Sequence, residues 1–269
     1  MENSTQQVNS DQNNAFQSNS SKRAKTKVIA GHSNSMLSRL FALPVLLAVL
    51  WAAWQVSSIG LASAWYYNSL NYIKLWQKNE QLFTEASFRK ASLAIAKATE
   101  LHPNHPDYLL LQAKIAEWGW YRGELSSNDL SQVDAWYQQA IRLRPTWPNA
   151  YADYAYFLGV TQTQITAAFS QLQLAQQYGP YTPEVFMQTL TVGFANWPVL
   201  NTAQKANTLA ALQHSIKNSQ ITYQHALNIT KISGKLSFAC NFLRASKQNF
   251  NEVQQKQIER DFCNRKKKQ

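Results

Sequence analysis

Residues 133–148 read VDAWYQQAIRLRPTWP. Val133 and Ala140 stand seven residues apart, Pro145 follows five later, and a second proline, Pro148, opens whatever comes next. The same phrase occurs at 91–103, ASLAIAKATELHP, and at 168–180, AFSQLQLAQQYGP, with Ala91/Ala98/Pro103 and Ala168/Ala175/Pro180 in the equivalent places. The closing prolines are 42 and 35 residues apart. A period near 34 with small residues at fixed spacing marks stacked helix pairs, in which the small residue lets two helices approach and the proline ends the second one. The fold class expected is all-α, a helical-repeat solenoid.

Working outward, each phrase predicts a helix and its successor. Thr84 can cap a helix running to about Leu101 with Phe88, Ala91, Ile95 and Ala98 on its buried stripe. Pro106, Pro148 and Pro183 each open the next helix, bearing Leu109, Ala113 and Ala116; Tyr151, Tyr154, Ala155 and Leu158; and Phe186, Leu190 and Gly193. A connection from Gly119 to Asn128 accounts for the longer first interval. Ala206 and Leu209 to Gln213 suggest one degenerate helix, followed by three short ones near 221–232, 235–245 and 251–262. No run with a period of two is long enough for a strand.

Ahead of the repeats the composition changes. Of the first 35 residues, 17 are Asn, Gln or Ser, too few apolar groups to offset ordering entropy, so 1–39 reads as a disordered basic tail. No charged residue occurs from Leu40 to Ile73, and 40–64 is apolar and long enough for a transmembrane helix, with Trp51, Trp54, Trp65, Tyr66 and Tyr67 toward its far end and Pro44 in its first turn or so. Lys22, Arg23, Lys25, Lys27 and Arg39 precede it, whereas Lys74 and Lys78 follow, which places the N-terminus in the cytoplasm and exports the body. The rival reading is a cleaved signal peptide starting at Met36 with a small-residue site at Ala62-Ser63-Ala64. Either way 65–218 forms the repeats, 219–263 a helical cap, and 264–269 a basic tail.

Of the +11 formal charge, seven units lie in the two termini, Arg265 to Lys268 among them, so the folded body is only mildly basic. An exported chain of this kind excludes nucleic acid as the expected partner. Cys240 and Cys263 fall in the exported part; an oxidising compartment favours a disulfide between them over two buried thiols, and such a bridge suits the end of a solenoid.

The helix-pair phrase resembles the tetratricopeptide repeat over about Ser87 to Asn218, with Leu109 or Tyr151 in place of its usual Trp and Ala113 or Ala155 in place of its Gly. The whole order of features resembles the VpsP family of bacterial polysaccharide biosynthesis proteins. It rests on the membrane helix, the run Ala98-Thr99-Glu100-Leu101-His102-Pro103, the run from Ala140 to Pro148, and a helical end with Cys240 and Cys263. That resemblance implies an accessory role at the inner membrane in making or exporting extracellular polysaccharide. The partners it implies are other synthesis or export proteins of the envelope and, beside them, the polysaccharide itself. It carries over no catalytic residues.

Such repeats bind on the concave face of their first helices. By register that groove should present Asp107 and Lys114, then Trp147, Asn149 and Tyr156, then Tyr181, Glu184 and Phe194. Leu110 and Ala152 replace the polar groups by which some tetratricopeptide repeats hold a peptide carboxylate, so that ligand is not expected. Trp118, Trp120 and Tyr121 beside Arg122 and Glu124 form either a binding lip or a packed helix end.

The remaining chemistry is mostly absent. His102, Asn104, His105 and Asp107 share one turn without further ligands nearby, so no metal is expected, and no phosphate loop, nucleophile elbow or dinucleotide fingerprint suggests a cofactor. An interaction scaffold is therefore the expectation, not an enzyme. The alternatives are a polysaccharide-modifying enzyme using Glu117, Glu124 or Asp153 as acid and base, and an assembly chaperone binding extended segments.

Overall fold

The structure, a computed structural model, describes residues 35–264. The polar tail before residue 35 and the basic run after 264 lie outside the described residues. Among these the chain is all-α. A long apolar helix, α1 (Ser35–Lys78), precedes α2 (Glu85–Leu101), α3 (Pro106–Tyr121), α4 (Leu130–Leu143), α5 (Pro148–Tyr156), α6 (Ile165–Tyr178) and α7 (Pro183–Ala195). The end is built from α8 (Thr202–Asn218), α9 (Gln220–Ile232), α10 (Leu236–Ala245) and α11 (Glu252–Ile258).

The chain divides into two compact units, Met1–Ala52 and Ala53–Gln269. Of the first, only the opening of α1 is described. Helix α1 already contains 35–39, which the sequence assigned to the tail, and it passes Ala64 without a break. Pro44 lies inside the helix, nine residues after its start, and not in its first turn. From residue 42 to 61 the side chains are almost all exposed, Leu43, Trp54 and Val56 at 64, 72 and 69 %. Twenty helical residues rise about 30 Å, the thickness of a bilayer's hydrocarbon layer.

In the second unit the same helix becomes part of the core. Ala62, Ser69, Ile73 and Trp76 are buried among Ala91, Ala98, Tyr108, Leu111 and Ile115. The Ser69 hydroxyl donates to the Ala91 carbonyl at 2.7 Å, a contact that needs small residues on both helices. Trp76 is completely enclosed, its ring 4.8 Å from Phe83 and 5.8 Å from Trp118, and its indole N–H donates to Ser87 Oγ at 3.2 Å. Ser87 also completes the capping box with Thr84 that starts α2.

The repeat phrases fold as their spacing dictates. Ala91, Ala98, Val133, Ala140, Ala168 and Ala175 are all fully buried. Pro106, Pro148 and Pro183 each occupy the first turn of their helix after an extended residue, where no backbone donor is lost. Gly119, expected to begin a connection, is inside α3: a Cβ there would stand 2.5 Å from the ring of Phe88. The turn comes later, at Gly123, whose φ of +79° suits glycine. Helix α5 runs on into a π turn, Phe157–Thr161, closed by Gln162 N–H donating to the Phe157 carbonyl at 3.0 Å. A π turn takes up one extra residue, and the interval from Pro145 to Pro180 is one longer than the usual 34.

The last helices enclose a second apolar cluster of Leu190, Phe194, Leu212, Tyr223, Leu243 and Phe262. Cys240 on α10 is bonded to Cys263 in the π turn after α11 (Glu259–Cys263), with Cα atoms 5.1 Å apart. Tyr223 donates to Asp261 at 3.0 Å beside it.

Candidate binding cavity

The first helices of successive pairs do not pack uniformly. Helix α5 lies against α7, and α7 against α9, along their lengths, whereas α3 and α5 barely touch at the backbone. A cavity of about 420 Å³ lies where α3 and α5 diverge. Helix α3 contributes Lys114, Glu117, Trp120 and Tyr121; α5 and its π turn contribute Asp153, Tyr156, Val160 and Thr161. Tyr137 of α4, Glu184 and Gln188 of α7, Ile73 and Gln77 of α1, Trp118, and Glu80, which stands 3.9 Å from Arg122, complete the wall.

The polar groups that span the divergence are charged. Lys114 Nζ stands 2.6 Å from Asp153 Oδ2, and Asp153 is only 2 % exposed. Gln188 donates to the other carboxylate oxygen of Asp153 at 3.2 Å. Burial disfavours the charge on Lys114, but Asp153, with Glu184 and Glu117 behind it, raises its pKa above the ordinary lysine value. The contact joins α3 to α5 as a strut.

Glu117 is held differently. Only 8 % of it is exposed, and one carboxylate oxygen accepts from the Tyr137 hydroxyl. Burial pushes its pKa up to about 8, the negative charge of Asp153 adds to this, and the tyrosine hydrogen bond and Lys114 oppose it. Burial likewise raises Glu184 across the cavity, with Asp153 acting in the same direction and Lys114 against. Tyr156, enclosed near Glu117, is pushed up to about 12 by burial and by that carboxylate. The cavity thus raises the pKa of two facing carboxyl groups, Glu117 and Glu184, by burial.

Of the eight groove residues expected from register, Lys114, Tyr156 and Glu184 line this cavity together. The others go elsewhere. Asp107 lies in the first turn of α3, 3.8 Å from both His105 Nδ1 and an Arg144 nitrogen. Trp147 precedes α5 with the Arg144 guanidinium 4.8 Å over its ring, and Asn149 is half-buried beside it. Tyr181 is 76 % exposed between α6 and α7. Phe194 is a correction: it is 3 % exposed, packed into the second apolar cluster, because ten residues of helix turn it about 80° away from the face that carries Glu184.

The acidic residues considered for catalysis also separate. Glu117 and Asp153 line the cavity, while Glu124 is exposed in the turn after α3. Trp118, Trp120 and Tyr121 all line the cavity, and Trp118 also packs against the core rings of Trp76 and Phe83. Tyr137 is a core residue, 1 % exposed, yet its hydroxyl serves the site. His105 stacks on Tyr108 at 3.9 Å, and no group of three metal-ligating side chains occurs among the described residues.

No family model matches this chain, and no curated protein matches it by sequence. Among solved structures it is similar to the crystal structure of PilW, described as a widely conserved type IV pilus biogenesis factor, at 15% identity and a TM-score of 0.47, over 76% of this chain and 87% of that one.

Proposed function

We propose that this protein is a membrane-anchored scaffold of the bacterial envelope, an accessory to the synthesis or export of extracellular polysaccharide. In this reading the exposed apolar part of α1 spans the inner membrane with the N-terminus in the cytoplasm. The repeats and cap stand in the periplasm and bind other components of the pathway. The observation that carries it is the continuity of α1: an exposed apolar run of bilayer length leads directly into buried Ala62, Ser69 and Trp76 of the repeat body. That continuity favours a retained anchor over cleavage after Ala64, since cleavage would remove Ala62 from the core and the Ser63 hydroxyl from its 3.2 Å contact with Tyr108. The Cys240–Cys263 bridge supports an oxidising compartment. The polysaccharide context rests on the resemblance of the two proline-closed runs.

Crosslinking in intact cells tests the scaffold: envelope proteins of one pathway should be recovered, and recovery of cytoplasmic partners alone overturns it. A phosphatase fused after Cys263 should be active in a product that sediments with membranes; an inactive fusion overturns the orientation.

A second reading has its own observation. Glu117, its pKa pushed up to about 8 by burial, and Asp153, paired with Lys114, share one cavity, and two carboxyl groups in different surroundings are what acid-assisted glycoside cleavage uses. Shortening of a polymer by the purified protein, abolished by Glu117→Gln, would place it above the scaffold. A chaperone would instead recover many unrelated unfolded segments.

A further inference from the structure

The cavity between α3 and α5 contains more carboxylates than its own chain neutralises. Lys114 is committed to Asp153 at 2.6 Å. Glu117 has one oxygen satisfied by Tyr137 and makes no ion pair among the described residues, Lys114 acting on it only through space. Glu184, on the facing helix, has no ion-pair partner among the described residues. A buried carboxyl group is costly to ionise without a cation, and a structure that sets the buried Glu117 and the half-buried Glu184 around one open space is arranged for a positive charge to enter. Trp120, Tyr121 and Tyr156 supply flat faces around the same space. Carboxylates for the edge and aromatic rings for the face match a planar guanidinium better than a compact ammonium.

Resting on the scaffold reading, we infer that this cavity is a pocket for one arginine side chain, presented by an extended segment of a protein partner, with Glu117 and Glu184 receiving the guanidinium and Trp120 and Tyr156 flanking it. A volume of about 420 Å³ admits one such side chain and the backbone that bears it, not a folded domain. The charge argument separates this ligand from a neutral sugar, which would use the same rings and hydroxyls but leave both carboxylates without a counter-charge.

The test uses the full-length protein in detergent and a capped pentapeptide with one central arginine among alanines. Its partner peptide carries citrulline, which has nearly the same shape without the charge. Tryptophan fluorescence and calorimetry should show saturable one-site binding of the arginine peptide, with citrulline weaker by at least about tenfold, as expected for a charge-assisted bidentate contact. Glu184→Gln, at a half-buried position, should weaken the arginine peptide by a similar factor, and Glu117→Gln supplies a second variant. Equal binding of the two peptides, or binding that survives both substitutions together, overturns the pocket. Occupation by a neutral disaccharide that excludes the arginine peptide also overturns it, in favour of a sugar site. If the arginine peptide fails to bind while envelope crosslinks persist, the pocket is overturned and the scaffold stands; loss of the crosslinks in Glu184→Gln, with arginine-selective binding in the parent, supports both.

Discussion

Two junctions of this helix stack solve the problem of a polar interior in opposite ways. Where α7 meets α8, the buried polar groups are threonines, and each returns its hydroxyl to its own helix: Thr189 donates to the Val185 carbonyl at 2.7 Å and Thr208 to Gln204 at 2.9 Å. Nothing further is required, so the helices close until Gly193 meets Thr208. Where α3 meets α5, the polar groups are the buried Glu117 and Asp153 and the half-buried Lys114, which no local carbonyl can satisfy. They need one another or a ligand, and the helices stand apart. Small hydroxyls thus permit closure, whereas charges preserve a cavity at a cost in stability, which is the expected signature of a site kept for use.

The largest effect should come from Glu117. Its pKa rises from 4.5 to about 8 on folding, so the folded protein keeps a proton that the unfolded chain has released. Its contribution is least unfavourable below about pH 4.5 and worsens as pH rises to about 8, beyond which it is flat, a total of about 4–5 kcal/mol. Lys114 on α3, Tyr137 on α4 and Tyr156 on α5 face it but titrate above that window, Asp153 adds its negative charge, and Glu184 on α7 is shifted in the same direction. Glu117→Gln should therefore flatten the pH dependence of denaturant unfolding between pH 5 and 8 and leave the protein more stable at pH 8. A slope unchanged by the substitution would mean that the open junction carries no such cost.

Lys114→Met tests the strut. It leaves Asp153 buried beside Gln188 alone, and removing one partner of a buried pair destabilises by about 3–5 kcal/mol. A loss below about 1 kcal/mol would show that water enters and that the pair behaves as a surface one.

The contrast between the junctions was only half legible in the sequence. Helix starts were: Thr84 with Ser87, and the three prolines at 106, 148 and 183, act through their immediate neighbours, so local chemistry is enough. The passage of α1 into the core was not, because an uncharged run to Ile73 reads the same whether lipid or protein covers it. Nor was the cavity, which depends on the angle between α3 and α5. A signal was present nevertheless: Glu117 falls four residues after Ala113, on the buried stripe, and Asp153 sits among Ala150, Ala152 and Tyr154. A carboxylate at core spacing must find a partner, and Lys114 is the basic residue one repeat away. Phe194 was misplaced because repeat register was carried along α7 without following its rotation.

The cap differs again, since it is held covalently. Cys240 and Cys263 close a 23-residue separation, and in the chain-entropy picture the bridge contributes about 3 kcal/mol. Replacing both by serine should raise hydrogen exchange in α10 and α11 while α2 to α5 keep their protection. Uniform loss of protection would instead show that the open and closed junctions unfold as one unit.

The smallest effect is the sharpest test of closure. A Cβ at Gly193 would fall on the side chain of Thr208, whose own Cβ is 2.8 Å from that position, and a β-branched residue on a buried helix cannot swing aside. Alanine gains up to about 1 kcal/mol of helix propensity over glycine, against an overpacking cost of about 3 kcal/mol, so Gly193→Ala should lose about 2 kcal/mol. Gly60→Ala, where nothing lies within 4 Å, should show the propensity gain alone. Thr208→Ala in the Gly193→Ala background should restore part of the loss, because it removes the two branches nearest the new methyl and leaves only the Cβ at 2.8 Å. If the pair of substitutions is merely additive, the helices have parted to accept the methyl, and the α7–α8 junction is as free to open as the one between α3 and α5.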